Sequence, residues 1–196
     1  MTEIPAISDD RPARIGPGRL VLVVGPSGAG KDTLLNAVRR ALAGDPRFRF
    51  VRRVITRPAD PAGEDHEPVT EAEFATRDFA LRWQAHGLRY GIPADIADDL
   101  ARGVVVVANV SRAVIAEAAT RFPVRVIEIT APPHILAQRL AMRGRETEAD
   151  IAARLARSVP LPDNVAADTV VNDTTPEIGA ERFLAALSSA ASDARR

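Results

Sequence analysis

The sequence contains no cysteine, and this absence excludes three kinds of protein at once. Without thiols there can be no disulfide scaffold, no thiolate metal centre and no cysteine nucleophile. A chain without disulfides suits the reducing cytoplasm, where we expect the protein to act. Long apolar runs are also missing, since Leu20–Val24 and Val104–Ala108 are far too short to cross a bilayer. We therefore expect a soluble protein with no membrane partner.

Net charge is missing as well, because 26 basic residues are matched by 26 acidic ones. Binding nucleic acid by counterion release normally requires a surplus of basic residues over a broad face. We therefore expect no nucleic-acid partner, and the sequence does not indicate an oligomeric state. A chain of 196 residues can fill one core but not comfortably two. We expect a disordered arm over residues 1–18, a single domain over residues 19–188 and a frayed C-terminus over residues 189–196.

Lysine is almost absent, because Lys31 is the single lysine beside 25 arginines. Arginine can replace lysine where a solvated charge is enough, but not where a compact ammonium group is needed. The segment around Lys31 reads GPSGAGKDT and stands between an apolar run and a helical pattern. Such a loop directs backbone N–H groups at phosphates, and its lysine adds a positive charge. It predicts an ATP-binding P-loop formed by Gly25, Pro26, Ser27, Gly28, Ala29, Gly30, Lys31, Asp32 and Thr33.

Asp32 departs from the usual P-loop pattern, in which a serine or threonine hydroxyl at this position binds Mg²⁺. A carboxylate beside a triphosphate is repelled unless a cation lies between them. Asp32 is therefore predicted to bind Mg²⁺, with Thr33 as a second candidate ligand, or to bind hydroxyl groups of the phosphate acceptor. A third interpretation is an acidic residue that only complements the helix dipole.

The hydrophobic pattern predicts an α/β fold in which strands alternate with amphipathic helices. Five segments are typical of strands: residues 20–24, 50–55, 104–108, 124–130 and 169–171. This alternation predicts a five-stranded, mainly parallel sheet flanked by helices. The closing helix is expected from Pro176 to about Leu187. Residues 69–102 are expected to form short helices. Packing or structural roles are expected for Phe74, Phe79, Trp83, His86 and His134.

Four groups of residues in a fixed order resemble the guanylate kinase-like P-loop kinases over residues 19–187. They are GPSGAGKDTLL; Val54–Pro58 with Gly63–His66 and Glu73–Phe74; Leu81–Gly91; and Gln138–Leu140, Arg143–Glu146 and Ala153–Leu155. The GKD form of the loop, in place of GKS or GKT, resembles the ribose 1,5-bisphosphate phosphokinases within that family. The resemblance implies a P-loop NTPase fold like that of the nucleoside monophosphate kinases. It also implies ATP and Mg²⁺ as cofactors and a small sugar phosphate as the other partner.

The implied reaction transfers the γ-phosphoryl group of ATP to the 1-phosphate of ribose 1,5-bisphosphate and gives 5-phosphoribosyl 1-diphosphate. A guanylate kinase or another small-phosphate kinase is the alternative. A non-catalytic guanylate kinase-like binding module is a further alternative from a different class. Such a module need not keep a complete P-loop, whereas this chain has one.

The resemblance also implies roles for individual residues. Lys31, Asp32 and three lid arginines would act on the transferred group, and the arginines are Arg139, Arg143 and Arg154. The lid would span about residues 143–149, and an acceptor-binding insert about residues 56–102. Acceptor contacts would come from Arg57, Glu64, His66, Tyr90, Asn109 and Arg112, while Asn172 would lie beside the adenine. Each role has a structural alternative. The three arginines could form a solvated helix face, residues 64–66 could form a solvated acidic turn, Tyr90 could belong to the core, and Asn172 could lie in a plain turn.

The acceptor positions differ from those of a protein that binds guanine. The family reads guanine with carboxylates, whereas the matching positions here hold Leu81, Asn109, Ser111 and Arg112. Leucine cannot accept a hydrogen bond, and arginine only donates. A site that should hydrogen-bond guanine but lacks acceptors would reject it by orders of magnitude. We therefore expect an acceptor other than GMP.

Overall fold

The computed structural model describes residues 17–59, 64–142 and 160–193. The expected lid at about residues 143–149, which includes Arg143, lies outside the described residues, and so does Arg154. A short 3₁₀ helix covers Arg112–Val114. The other elements are β1 (Arg19–Val24), α1 (Lys31–Ala41), β2 (Phe48–Phe50), β3 (Val54–Ile55), β4 (Glu67–Pro68), α2 (Glu71–Thr76), β5 (Phe79–Ala85), β6 (Leu88–Pro93), α3 (Ile96–Ala101), β7 (Val105–Asn109), α4 (Ile115–Arg121), β8 (Val124–Thr130), α5 (Pro133–Ala141), β9 (Ala167–Val171) and α6 (Pro176–Asp193).

The large sheet has five parallel strands in the order β2-β7-β1-β8-β9. β1 lies at its centre, and its apolar run Leu20–Val24 is completely buried. Leu20, Leu22 and Val24 face one side of the sheet, while Val21 and Val23 face the other. A central strand covered on both faces needs apolar residues without alternation, which is the pattern in the sequence. The predicted five-stranded parallel α/β fold is confirmed.

Helices cover both faces of this sheet. On one face α1 packs against α6, and Leu34 and Val38 share a core with Phe183 and Leu187. On the other face Leu100 of α3 and Ile115 of α4 enter a second core. α6 spans 18 residues. Neither it nor any other helix in the described part of the chain combines the length and the apolar character that a bilayer crossing needs.

A second, four-stranded sheet follows the order β4-β3-β6-β5. β5 and β6 form an antiparallel hairpin, which β3 joins through antiparallel pairing with β6. The expectation of short helices over residues 69–102 is therefore wrong for the hairpin. The single strand expected at 50–55 is also wrong, because the chain leaves the large sheet after Phe50 and joins the small sheet at Val54.

Both ends of the folded domain extend further than the sequence suggests. The Gly18 N–H donates to the carbonyl of Leu100 at 2.8 Å, and a Cβ at residue 18 would lie 2.5 Å from the Val104 carbonyl oxygen. At the other end α6 continues past Leu187 to Asp193, and Ala190 is fully buried in the core. Ala190 extends the apolar face of Phe183 and Leu187, which is why the helix does not end at Leu187.

Candidate active site

The loop between β1 and α1 forms one wall of an open cleft. Gly25 and Gly30 have φ values of 149° and 86°. A Cβ at Gly25 would lie 1.9 Å from the Ile129 carbonyl oxygen, and a Cβ at Gly30 would lie 2.5 Å from Nδ2 of Asn172. Only glycine fits both positions. Because α1 begins at Lys31, the first N–H groups of that helix are available to an anion held by the loop.

Two residues hold this loop from behind. Asn172, buried just after β9, donates from Nδ2 to the Ala29 carbonyl at 2.8 Å and from its backbone N–H to Thr130 at 2.7 Å. Arg139 on α5 donates from Nη1 to the carbonyl oxygen of Asn172 at 3.0 Å, with the Gly28 carbonyl at 3.5 Å. The hydrogen bonds of both side chains therefore position the P-loop against β9 and α5.

Lys31 and Asp32 begin α1 at the floor of the cleft. Nζ of Lys31 donates to the carbonyls of Gly25 and Pro26 at 2.8 and 3.0 Å, which keeps the ammonium group inside the loop. Oδ1 of Asp32 accepts from Nδ2 of Asn109 at 3.1 Å. Asn109 is the buried last residue of β7, so this contact joins the P-loop helix to the neighbouring strand.

The cleft has a volume of about 380 Å³. It separates the P-loop from the segment that follows β2 and from the β5–β6 hairpin. Of the residues singled out in the sequence, it brings together Gly25, Ser27, Gly28, Gly30, Lys31, Asp32, Thr33, Arg57, Glu64, Tyr90, Asn109 and Ser111. Pro26 and Ala29 do not line it, and their carbonyls accept from Lys31 and Asn172.

Arg53 lies on the wall opposite the P-loop and has no counterpart among the expected site residues. Its Nε donates to Oε1 of Glu64 at 2.6 Å, and its Nη2 donates to Oε2. Its guanidinium carbon lies 5.4 Å from the centre of the Tyr90 ring. The Tyr90 ring in turn stacks on Trp83, with ring centres 5.3 Å apart and planes 8° apart. A charged pair and two aromatic rings therefore build one continuous wall.

Trp83 and His86 also line the cleft, although the sequence predicts only packing or structural roles for them. Both belong to the hairpin, and His86 occupies its turn with a φ of 53°, followed by Gly87 at 71°. Successive positive φ values match the two-residue turn that favours right-twisted hairpins. The His-Gly pair between two apolar segments was the available signal for this hairpin, and the hairpin brings both side chains to the cleft.

Comparison with known proteins gives the family. The ribose 1,5-bisphosphate phosphokinase PhnN of Acidiphilium cryptum is 61% identical over 171 residues, covering 87% of this chain and 92% of that protein. The chain belongs to the ribose 1,5-bisphosphate phosphokinase family. The protein of the same name from Brucella melitensis biotype 2 is 53% identical over 168 residues, covering 83% and 87% of the two chains. The resemblance inferred from the four motif groups is confirmed.

Solved structures agree with this phosphokinase family on the fold. A guanylate kinase from Anaplasma phagocytophilum superposes with a TM-score of 0.60 at 19% identity, covering 88% of this chain and 85% of that one. At this identity the likeness shows a shared fold. No protein-family model matches the chain.

Three residues that the phosphokinase resemblance placed near the acceptor lie outside the cleft. His66 is 3% exposed, and its Nδ1 and Nε2 lie 2.8 and 3.1 Å from the carbonyl oxygens of Glu64 and Arg57. Arg112 pairs with Glu128 on β8. Leu81 is 1% exposed in the core. In this structure His66 and Arg112 therefore stabilise the surrounding backbone and strand ends, and their substrate contacts stay a prediction.

Asp65 connects the acceptor side of the cleft to the P-loop helix through an ion pair with Arg39. Asp65 lies 3.0 Å from Nη1 of Arg39 on α1 and 2.9 Å from Nε of Arg52. The hydrogen bond from Arg39, opposed by partial burial and aided by Arg52, holds the pKa of Asp65 below its ordinary value. Asp65 therefore stays ionised at neutral pH and fixes the position of the adjacent Glu64 relative to α1.

Proposed function

We propose that this protein transfers the γ-phosphoryl group of ATP to the 1-phosphate of ribose 1,5-bisphosphate. An oxygen of the 1-phosphate forms a bond to the γ-phosphorus, and the bond from that phosphorus to the bridging oxygen breaks, releasing ADP and 5-phosphoribosyl 1-diphosphate. The names and high identities of the relatives support this reaction. The observation that carries the proposal is that Arg53, Arg57 and Tyr90 line the same cleft as Lys31.

The P-loop would bind the phosphates of ATP. Phosphoryl transfer depends mainly on positioning and on stabilising the charge of the transferred group. The glycine cradle and the N-terminus of α1 supply N–H donors, and Lys31 would exchange its two carbonyl contacts for phosphate oxygens. We propose that Arg139, Arg143 and Arg154 also stabilise the charge of the transferred group. Arg139 positions the loop as well. The adenine would lie near Asn172. Since ATP and sugar phosphates are cytoplasmic metabolites, we assign the enzyme to the cytoplasm.

Asp32 and Thr33 are suited to Mg²⁺. Both are exposed at the cleft and offer hard oxygen atoms next to Lys31. Oδ1 of Asp32 accepts from Asn109, while Oδ2 has no hydrogen-bond partner among the described residues. Mg²⁺ is usually held by one or two carboxylates together with substrate phosphates, so a larger ligand cluster is not needed. When bound, it supplies positive charge to the β- and γ-phosphate oxygens.

Arg57, Tyr90, Glu64 and Asn109 are the proposed acceptor contacts. The planar fork of Arg57 and the phenol of Tyr90 suit phosphate oxygens. Nε of Arg57 is buried without a hydrogen-bond partner among the described residues, so a bound phosphate oxygen could satisfy it. The carboxylate of Glu64 keeps lone pairs beyond its two bonds to Arg53, and these could accept from sugar hydroxyls.

A coupled assay that follows ADP release with two acceptors tests the reaction. With ATP and Mg²⁺, we expect kcat/KM for ribose 1,5-bisphosphate to exceed that for GMP by about a hundredfold or more, because guanine would find too few acceptors here. Equal or faster turnover of GMP would contradict the proposal and favour a guanylate kinase. Nucleotide binding without turnover of either acceptor would favour a binding module.

A further inference from the structure

Two arginines line the acceptor wall, and the proposed acceptor carries two phosphates. Among the described residues of the cleft, Arg53 and Arg57 are the guanidinium groups, and Lys31 belongs to the P-loop. We propose that Arg53 binds the 5-phosphate of the acceptor and that Glu64 is the positioning residue that holds Arg53 for this purpose. The inference rests on the proposed function, in which Arg57 contacts the phosphate that receives the transferred group.

Neighbouring protein groups fix the position of the Arg53 guanidinium. Glu64 takes the Nε and Nη2 edge of the guanidinium in a bidentate pair, and the Tyr90 ring lies against it at 5.4 Å. The Arg53 side chain is 14% exposed. Its Nη1 has no hydrogen-bond partner among the described residues, so two N–H donors remain for a ligand. A guanidinium fixed in this way loses little rotamer freedom when it binds phosphate.

The charge arrangement favours a second anionic group on the ligand. Glu64 neutralises Arg53, which avoids leaving a largely buried cation unpaired. A nucleoside monophosphate brings one phosphate, for which Arg57 is sufficient. A sugar bisphosphate brings a second phosphate, and a second fixed fork is the group that would distinguish it. The neighbouring Arg52 does not compete for this role, because it binds Asp65 and the His66 carbonyl.

A cycle that combines a protein variant with a ligand variant tests the assignment. Isothermal titration calorimetry without ATP would measure the binding of ribose 1,5-bisphosphate and ribose 1-phosphate to wild type and Arg53→Ala. In wild type, loss of the 5-phosphate should weaken binding about a hundredfold, as removal of one partner of a largely buried charged pair does. Arg53→Ala should weaken bisphosphate binding by a similar factor and leave ribose 1-phosphate binding within about threefold.

Further variants separate binding from folding. Arg47→Ala removes an exposed arginine that pairs with Asp45 outside the cleft, and it should leave both affinities unchanged. Glu64→Gln keeps a hydrogen-bonding group without the charge, and it should weaken bisphosphate binding about tenfold more than ribose 1-phosphate binding, which loses only a weaker contact to a sugar hydroxyl. If Arg53→Ala does not fold, Arg53→Lys takes its place, and its point charge without a fork should keep only part of the preference for the bisphosphate.

The outcomes also separate this inference from the proposed function. Suppose that the wild type turns over ribose 1,5-bisphosphate. If Arg53→Ala then binds this ligand normally, or if the substitution weakens the binding of both ligands equally, Arg53 does not recognise the 5-phosphate. The same conclusion follows if Arg53→Lys keeps the full wild-type preference. If the wild type neither binds nor phosphorylates ribose 1,5-bisphosphate, the proposed function itself is wrong, and this inference fails with it.

Discussion

Lys31→Ala should separate the chemistry of the P-loop from its stability. Lys31 donates two hydrogen bonds to loop carbonyls, at 2.8 and 3.0 Å, and its ammonium group lies beside the cradle for phosphate. The substitution removes both bonds and the charge. Because the loop lines an open cleft, water can replace Nζ at the two carbonyls, and the loss of unfolding free energy should be about 1–2 kcal/mol.

The effect on catalysis should be much larger than the effect on stability. For a chain of this length, about 1–2 kcal/mol corresponds to a decrease in Tm of about 2–8 °C. Loss of one charge-stabilising donor typically lowers kcat by about a hundred- to a thousandfold. A thermal melt and the coupled ADP assay, both on the same preparation, would measure the two effects. Arg40→Ala, an exposed arginine on the same helix, serves as the matched control.

Two results would refute this reasoning. A Lys31→Ala protein with the kcat of wild type would remove Lys31 from the phosphoryl-transfer machinery. A loss of activity that follows the loss of folded protein at the assay temperature would reduce the role of Lys31 to holding the loop. Lys31→Arg should rescue little activity, because a planar fork cannot occupy the position of a compact ammonium group between the two carbonyls.

Two further substitutions test Asp32 and a buried charge cluster. Asp32→Asn keeps an oxygen for Asn109 but removes the charge, so the Mg²⁺ concentration for half-maximal rate should rise about tenfold; a rise in acceptor KM instead would assign Asp32 to sugar hydroxyls. Burial tends to raise the pKa of Asp99, but Arg49 and Arg102 hold that pKa below its ordinary value, so the ion pairs stabilise the fold near neutral pH and lose this effect below about pH 4. The difference in unfolding free energy between wild type and Asp99→Asn should therefore shrink between pH 7 and pH 3, and a constant difference would contradict the assignment.

The features that the sequence predicted correctly depend on local patterns. The P-loop is contiguous, with glycines required by positive φ values, and the segments 20–24 and 104–108 are apolar runs whose residues enter the cores on both faces of the sheet. The family assignment depends on the order of the motifs, which a single sequence shows directly. Each motif and each apolar run is complete within a few residues, so no tertiary information is needed to identify it.

The features that the sequence did not predict depend on contacts between distant segments. Arg53 and Arg52 are neighbours of the same type, yet Arg53 pairs with Glu64 in the cleft while Arg52 pairs with Asp65. Their different directions follow from the chain crossing between the two sheets after Phe50. Arg112 is of a residue type that often binds phosphate, but it pairs with Glu128, which lies on a strand that only the folded sheet brings near. Residue type alone could not distinguish these cases.

The central position of β1 determines when this site can form during synthesis. β1 precedes its sheet partners in the chain and so leaves the ribosome before them, because those partners begin at Val105 and Val124. Until then an apolar strand has no neighbours and depends on the rest of the nascent chain or on chaperones to stay soluble. The loop that follows β1 is fixed later still, because Asn172, whose side chain holds it, follows β9 in the chain. The P-loop therefore reaches its final position only after most of the other described elements have been synthesised.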